Sequence, residues 1–360
     1  MRLETYGMTV APPDVRALFD LQTQPEGGWG WFEILAATTL ASQESACIAA
    51  LVDTAGLAVS AVPVVTVGGR VTRGLTSPFT TLFVAPLGSD ENARTLGKQL
   101  AEKAGSRLRL DALDGTDGAV TAFQQGLADG GLAVTGFRHF ANWFEAIDDF
   151  AAFWNKRGSQ LKSTVKRKAA ALERENRLTF EQIDMTQDWR RGAEIYKKIY
   201  AGSWKPDEPH PHFIDALLEK MGRSGVAKLA VALIDGQPVA AQIWLVQQGR
   251  ATIFKLAHDP AFDRQSPGTL LTHWFLRFLY DRNGVREVDF GRGDDTYKRQ
   301  WLAFSRYRQG LLAANPRTLK GLLSVVVDIL PARLTKYLRQ KTGQAAAKAK
   351  SSTPIENGMS

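Results

Sequence analysis

One stretch of the sequence combines a helix start suited to anion binding with a nearby cluster of ionisable side chains. A strand pattern ends at His258, and Ser266, Pro267 and Gly268 then open an apolar helix. Serine suits the N-cap and proline the first helical position, so the sequence specifies where this helix begins. Its first turn has no acid, and glycine lets a bulky anion reach the unpaired N–H groups at the positive end of the helix dipole. The pattern predicts a phosphate-binding helix start, and an ordinary well-capped core helix is the alternative.

The elements that would position this stretch occur twice along the chain. In each half, three strand patterns precede a helix pattern and one further strand. The ranges are 46–53, 58–67, 71–76, 90–104 and 107–113 in the first half, and 226–235, 238–248, 250–258, 267–282 and 286–291 in the second. From Asp53 to Arg70 takes 17 residues, and from Asp235 to Arg250 takes 15. The matching order and spacing predict an internal duplication.

Length and composition allow two folded units. A chain of 360 residues exceeds the usual size of one domain, so two cores of roughly 150 residues each are expected. Hydrophobic residues make up 44% and charged residues 23%, which is typical of globular proteins. We therefore expect α/β domains with mixed sheets at residues 1–149 and 150–342. The segment 343–360, rich in Ala, Lys and Ser, is expected to be a disordered tail.

The charge balance permits an anionic partner without requiring one. The net charge of +8 is spread along the chain, apart from a basic run at 156–177 with eight Lys or Arg. On a helix with Leu161, Val165 and Leu172 inward, these cations would form an outer stripe that meets tRNA, anionic lipid or polysaccharide, or only solvent. With Cys47 as the single cysteine, an internal disulfide is impossible. Because the sequence has no apolar leader and no run of eighteen apolar residues, we expect a cytoplasmic protein.

Two motifs in the second half resemble those of a known family. The segment Arg264 to Leu270 (RQSPGTL) resembles the pyrophosphate loop of GNAT acetyltransferases, usually written Gln/Arg-x-x-Gly-x-Gly/Ala. Gln265 and Gly268 fit that pattern, whereas Leu270 stands where the family prefers Gly or Ala. Together with Asp289 to Trp301 (DFGRGDDTYKRQW), it resembles the CelD-like acetyltransferases, named for cellulose biosynthesis. That family is similar in turn to the FemAB-type double-GNAT enzymes.

The resemblance implies two tandem GNAT-like domains, the acyl-CoA N-acyltransferase fold, with the working site in the second. Its motifs cover residues 150–316, and the first half matches in layout only. In GNAT folds the fourth and fifth strands part and leave backbone groups free for the pantetheine arm, while the pyrophosphate loop holds the phosphates. The cofactor-binding residues implied here are Arg264, Gln265, Ser266, Gly268, Thr269, Leu256 and Ala257.

The resemblance also implies a catalytic group and a set of acceptor-binding residues. Tyr297 stands where many GNAT enzymes keep a tyrosine acid for the leaving thiolate, although a packing role is the alternative. A base for the acceptor is harder to name: His258 exchanges protons near neutral pH, and Asp294 competes with it or only caps the next helix. The implied acceptor-binding residues are Trp204, Lys205 and Lys298, with a loop anchor or a solvated face as the alternatives.

We therefore expect an enzyme that moves an acetyl or other acyl group from acyl-CoA to an amine or hydroxyl. The acceptor would be a small molecule, saccharide or peptide, in polysaccharide or cell-envelope biosynthesis. One alternative is a FemAB-like aminoacyltransferase that uses aminoacyl-tRNA, and another is a non-catalytic module that binds a glycan or a partner protein. The first half should lack a CoA site, because Asp90 and Glu91 at its helix start would repel phosphate. No histidine and carboxylate pattern predicts a metal site.

Overall fold

The computed structural model describes residues 1–334, so the tail expected at 343–360 lies outside the described residues. Its strands join into a single mixed sheet. The strands are β1 (Arg2–Gly7), β2 (Glu44–Val52), β3 (Ala58–Val67), β4 (Arg70–Gly74), β5 (Ala104–Leu113), β6 (Ala133–Ala146), β7 (Leu178–Ile183), β8 (Ala227–Ile234), β9 (Gln237–Gln247), β10 (Arg250–His258), β11 (Glu287–Arg292) and β12 (Phe304–Ala314).

Helices connect these strands and cover the sheet. The helices are α1 (Pro13–Asp20), α2 (Trp29–Thr38), α3 (Asp90–Lys103), α4 (Gly118–Asp129), α5 (Phe150–Asn155), α6 (Ser159–Arg174), α7 (Met185–Ala201), α8 (Pro211–Leu217), α9 (Pro267–Asn283), α10 (Thr296–Trp301) and α11 (Leu319–Ser324). A 3₁₀ helix at Pro260–Gln265 occupies the segment before α9 that the sequence suggested as a polar loop. Each of the predicted strands and helices is present, with ends that differ by a few residues.

The strand order shows two halves of the same layout that exchange one strand. The order is β1-β2-β3-β4-β5-β12-β6-β11-β10-β9-β8-β7. Each half contributes six strands, and the sixth strand pairs with the fifth strand of the other half, β6 with β11 and β12 with β5. The two sixth strands pair with each other along their length, from Phe304 opposite Phe144 to Ala314 opposite Ala133. The expected tandem α/β architecture is confirmed, and the sheet continues unbroken across the expected boundary at residue 149.

Both faces of the sheet are covered because its strands alternate between two apolar cores. In β8, Leu229 and Val231 belong to one core, while Ala230 and Ala232 belong to the other. This alternation follows from the two-residue period of a strand, and burial on both faces explains the continuous apolar run in β8. The second core includes the buried residues of α5, α6 and α9, which lie against the second half of the sheet.

The inner face of α6 is as expected, and the single cysteine lies in the core. Leu161, Val165 and Leu172 are the buried residues of α6, so its cations lie on the outer side as the helical period predicted. Arg157, which precedes α6 in the basic run, does not join them, because it is buried in an ion pair with Glu145. Cys47 is buried in β2, and burial raises the pKa of its thiol to about 11. Within residues 1–334, no helix combines the length and the apolar character that crossing a membrane requires.

Candidate active site

Strands β10 and β11 part after three residue pairs and leave a gap in the sheet. They pair in parallel only from Arg250 opposite Glu287 to Thr252 opposite Asp289. Strand β10 then continues to His258 along β9, whereas Arg292 at the end of β11 lies opposite Asn142 of β6. The edge of β10 that faces β11 is therefore unpaired beyond Thr252. The expected parting of the fourth and fifth strands of the second half is present.

A buried polar cluster fixes the point at which β11 turns away. Asp289 is 1% exposed, and its carboxylate is bound by the guanidinium groups of Arg250 and Arg306 and by the Asn142 amide. It also accepts the N–H of Gly291, whose φ of 62° suits glycine. Burial alone would raise the pKa of Asp289, but the two arginines and the hydrogen bonds outweigh it and hold the pKa below its ordinary value. The carboxylate stays charged and holds this irregular turn of β11.

The gap opens into a cavity of about 290 Å³, which we call the β10–β11 cavity. Four of the residues singled out from the sequence line it: Leu256 on β10, Lys205 in the loop before α8, and Tyr297 and Lys298 on α10. The first half also contributes, because residues 78, 79 and 81 of the β4–α3 connection form one wall. The other lining residues are Pro78, Phe79, Thr81, Ile253, Phe254, Lys255, Phe290, Gly291, Arg292 and Asp295.

Burial gives the ionisable groups of this cavity unusual proton affinities. Desolvation, with a smaller contribution from the neighbouring Lys255 charge, lowers the pKa of Lys205 to about 8. Burial also lowers the pKa of Lys255, although its ammonium lies 2.7 Å from both carboxylate oxygens of Glu208. Tyr297 is 36% exposed, and the partial desolvation of its hydroxyl raises the pKa above its ordinary range. Near neutral pH the residues that line the cavity thus include a protonated phenol, Tyr297, and a partly neutral lysine, Lys205.

Lys298 has a positioning role in the structure. Its side chain is 3% exposed, and its ammonium donates to the backbone oxygen of Arg292 and lies 3.3 Å from the Asp295 carboxylate. Burial lowers its pKa, with Asp295 acting in the opposite direction. These contacts tie α10 to the end of β11, so Lys298 helps to shape the wall that carries Tyr297.

A bulge in β10 lies beside the cavity. The pairing of β10 with β9 shifts register between Ile253 and Lys255, so Phe254 has no residue opposite it. Such bulges often occur next to active sites, where they re-aim backbone or side-chain groups. This bulge lies beyond Thr252, where β10 is no longer paired with β11 and Phe254 lines the cavity.

The start of α9 has no side-chain cap. Ser266 occupies the N-cap position, but its backbone is left-handed with φ 56°, and its side chain makes no cap hydrogen bond. The expectation that the serine hydroxyl caps this helix is wrong, because the left-handed backbone follows directly on the 3₁₀ turn. Thr269 and Leu270 both donate their N–H groups to the Ser266 oxygen, while the Gly268 N–H has no acceptor among the described residues. The Gln265 Oε1 atom is buried without a hydrogen-bond partner, and the predicted Arg264 is exposed.

His258 lies beside this helix start and does not line the β10–β11 cavity. Its Nε2 is 2.7 Å from the Asp263 carboxylate, and its Nδ1 is 3.5 Å from the position that a Cβ on Gly268 would take. The ring of Trp204, which is 56% exposed, contacts the imidazole with ring centroids 4.4 Å apart. Trp204 and His258 therefore lie in contact beside the N-terminus of α9. Ala257 is buried on the preceding strand position.

Asp294 is held in an ion pair outside the cavity. Its carboxylate is 2.6 Å from the Arg299 guanidinium and accepts the Trp143 indole N–H at 2.9 Å. These bonds lower its pKa. The suggested capping role is wrong, because Asp295 occupies the N-cap position of α10, and that side chain makes no cap bond either.

Sequence reasoning missed the residues that approach the cavity from distant parts of the chain. Phe79 stacks on Phe213 of α8, and Thr81 donates from its backbone N–H and its hydroxyl to the buried Glu26 carboxylate. Burial raises the pKa of Glu26 to about 7, although the Thr81 bonds oppose it. Glu208, the partner of Lys255, lies in a Pro-rich loop. No local sequence pattern distinguishes these residues, because only tertiary packing brings them to the gap.

The equivalent region of the first half is built differently. Backbone bonds from Phe83 N–H to Ala112 and from Ala61 N–H to Pro86, both 2.8 Å, let residues 83–87 bridge β3 and β5. Helix α3 is capped by Ser89, which accepts the Asn92 N–H, and its first turn carries Asp90 and Glu91. A satisfied cap and two acids disfavour an anion at that helix start. Within residues 1–334, parted strands and the uncapped start of α9 occur together in the second half.

Comparison with known proteins finds likenesses at the level of domain family and fold. Residues 158–299 match the acetyltransferase (GNAT) domain family. FemX covers 91% of this chain and 100% of its own at 11% identity, with a TM-score of 0.61. A conserved protein of unknown function from Bacteroides thetaiotaomicron covers 88% and 99% at 10% identity, with a TM-score of 0.57. L-PGS from Bacillus licheniformis covers 89% and 97% at 13% identity, with a TM-score of 0.51. No curated protein sequence matches the chain significantly.

These likenesses define the class of the protein at the level of fold. The match to the GNAT domain family lies in the second half of the chain and spans residues 158–299. Residues 1–334 form one mixed sheet with helices, and the solved structures with this fold cover 88–91% of the chain. At identities of 10–13% the likeness concerns the fold alone.

Proposed function

We propose that this protein transfers an acyl group from acyl-CoA to an amine or hydroxyl acceptor in the β10–β11 cavity. One observation carries the proposal: β10 and β11 part beside a helix start that has no side-chain cap. A parted pair of strands offers peptide groups to an amide-bearing arm, and an uncapped helix start offers an N–H group to a phosphate. Acyl-CoA matches both features, because its amide-bearing pantetheine arm joins the diphosphate to the thioester.

The donor would lie along the free edge of β10. The unpaired peptide groups from Ile253 to Ala257 would bind the pantetheine amides, and the Gly268 N–H and the free Ser266 hydroxyl would receive the diphosphate. His258 lies against Gly268, so it belongs to this phosphate end rather than to the reacting atoms. This arrangement would place the thioester at the bulge around Phe254.

The cavity residues suit the proton transfers of such a reaction. A neutral amine or hydroxyl attacks the thioester carbonyl, and peptide N–H groups at the β10 bulge stabilise the resulting oxyanion. The C–S bond breaks, and the thiolate takes a proton from the Tyr297 hydroxyl, which its raised pKa keeps protonated. The acceptor loses its proton to neutral Lys205. Exchange with solvent then restores both side chains.

The acceptor would enter from a second, adjacent cavity of about 380 Å³. The two cavities share Pro78 and Arg292. Arg109 and His139 also line the second cavity, and the His139 Nε2 lies 2.9 Å from the Arg292 guanidinium. Cations at this entrance favour a saccharide or peptide acceptor that carries a carboxylate or phosphate.

Isothermal titration calorimetry with acetyl-CoA and desulfo-CoA tests the donor and its site together. Gly268→Trp should abolish binding, since the indole would occupy the space in front of the free N–H. Gly158→Trp is the matched control, because Gly158 also stands at a helix start and a side chain there meets open space. Wild-type protein that binds neither ligand, or a Gly268→Trp variant that binds as the wild type does, would overturn the proposal.

A second candidate donor is aminoacyl-tRNA, and the outer face of α6 is the observation that favours it. Lys166, Arg167 and Arg174 are exposed on that helix, at helical spacing on a face with few acids. If six to ten phosphates are contacted, tRNA affinity should fall by about 10³–10⁵ between 50 and 200 mM salt. Filter binding with wild type and a Lys166→Gln/Arg167→Gln variant measures this. Tight, salt-sensitive tRNA binding without acyl-CoA binding would favour this donor.

A further inference from the structure

The C-terminal helical segment at residues 319–334 has its apolar side chains on the outside. The segment is helical throughout and spans about 22 Å. It packs on the sheet through small and polar residues: Gly321 and Ser324 are buried, and Asp328 pairs with Arg107. The larger side chain of Ile329 is the one apolar residue of the segment that is fully buried, against Leu312 and Ala314.

The opposite face of this helix is made of leucine and valine. Its exposed apolar residues are Leu319 (88%), Leu322 (48%), Leu323 (64%), Val326 (55%), Val327 (60%), Leu330 (51%) and Leu334 (59%). They follow one another at intervals of three and four residues and so form a continuous stripe. A surface helix of a folded protein normally shows the reverse pattern, and contiguous exposed apolar patches mark interaction sites.

Cations border this stripe. Arg317 and Lys320 are exposed on or next to the segment, and Asp328 is its one acid. Arg333 is also exposed, although its guanidinium donates to the Val134 backbone oxygen of β6. The sequence that follows is also basic. Before the next acid, Glu356, it contains Lys336, Arg339, Lys341, Lys348 and Lys350. The surface therefore combines an apolar stripe with a local excess of positive charge.

We propose that this helix docks the protein on an anionic lipid membrane, lying in the plane of the interface. A leucine and valine face inserts among acyl chains, and flanking lysines and arginines bind anionic headgroups, which are the two contributions that hold interfacial helices. A second copy of the chain would fit this surface less well than a membrane does. A symmetric pair would bring two sets of these cations together, so that their repulsion opposes the apolar contact.

Vesicle flotation with the full chain tests this proposal. The probes are vesicles of phosphatidylcholine alone and of phosphatidylcholine mixed equally with phosphatidylglycerol. Wild-type protein should float with the anionic vesicles and much less with the neutral ones. Leu323→Glu/Val327→Glu should lower the partition coefficient by more than about tenfold, because it puts charge into the apolar stripe. Arg317→Gln/Lys320→Gln should lower it by about fivefold for each cation removed, on anionic vesicles only.

The matched control is Leu21→Glu/Leu57→Glu, which makes the same change at two exposed apolar positions outside the helix. It should float as wild type does. The proposal is overturned if wild type floats with neither vesicle, or if the Leu323→Glu/Val327→Glu variant floats unchanged. It is also overturned if sedimentation shows a wild-type dimer that this variant dissociates while vesicles capture neither. None of these measurements needs donor or acceptor, so the result is independent of the transferase proposal.

Discussion

Competitive labelling with acetic anhydride should show that Lys205 titrates with a pKa of about 8, against 10.5 for an ordinary lysine. The amine reacts only when neutral, so the labelled fraction of the Lys205 peptide, followed by mass spectrometry across pH, gives the pKa directly. At pH 7.5 a pKa of about 8 leaves roughly a quarter of the side chains neutral, whereas an ordinary lysine is neutral in about one molecule in a thousand. Nα-acetyl-lysine in the same tube serves as the reference.

The causes of this pKa can be separated by changing its neighbours. Desolvation lowers it most, the Lys255 charge lowers it further, and Glu208 raises it. Lys255→Met should therefore raise the pKa of Lys205, and Glu208→Gln should lower it. A Lys205 that labels like Nα-acetyl-lysine would refute the argument that burial sets its proton affinity. If Lys255→Met lowered the pKa of Lys205, or Glu208→Gln raised it, the argument that these neighbouring charges shift that pKa would be refuted.

The pKa of Lys205 predicts the direction in which catalysis changes with pH. A base must be neutral, so kcat/KM for an acceptor should rise about tenfold per pH unit below a pH of about 8 and level off above it. Lys205→Met should lose this rise. A profile that is flat from pH 6 to 9, or one that keeps its midpoint in Lys205→Met, would show that Lys205 binds rather than deprotonates the acceptor.

Three further changes have expected outcomes. Tyr297→Phe should lower turnover by about 10²–10⁴-fold with little change in acyl-CoA affinity, and wild-type turnover would remove the phenol from the proton transfer. Asp289→Ala should lower the free energy of unfolding by about 3–5 kcal/mol in urea titration, because it leaves the Arg250 and Arg306 charges without their buried partner. Gly126→Ala should cost about 2 kcal/mol in the same assay, since its Cβ would lie 2.0 Å from the Arg94 carbonyl oxygen where α3 packs on α4. A gain in stability there would show that the two helices move apart easily.

The local elements of the second half could be predicted because their patterns are short in range. The apolar period in α6 identified Leu161, Val165 and Leu172 as its inner face, and the proline and glycine after Ser266 marked where α9 begins. The cap itself could not be predicted. Whether the Ser266 hydroxyl bonds to the helix depends on the left-handed turn imposed by the preceding 3₁₀ segment.

No local sequence pattern indicates that β6 and β12 are exchanged between the halves. Strand pairing depends on contacts between residues far apart, such as Phe304 and Phe144, and a strand pattern is the same whichever neighbour it has. For the same reason the wall formed by Phe79 and Thr81, and the Glu208 partner of Lys255, appear only in the folded chain.

By itself, the sequence determined the strands and helices of the ten repeated segments, the order in which they recur, and an acid-free helix start after the central strand of the second half. Tertiary structure decided which of the chemically capable residues meet. It brought Lys205, Tyr297 and Lys298 into one cavity and placed His258 and Asp294 outside it. The physical reason is that periodicity encodes which face of an element is buried, whereas proximity and desolvation, and with them the pKa values, arise from packing between distant segments.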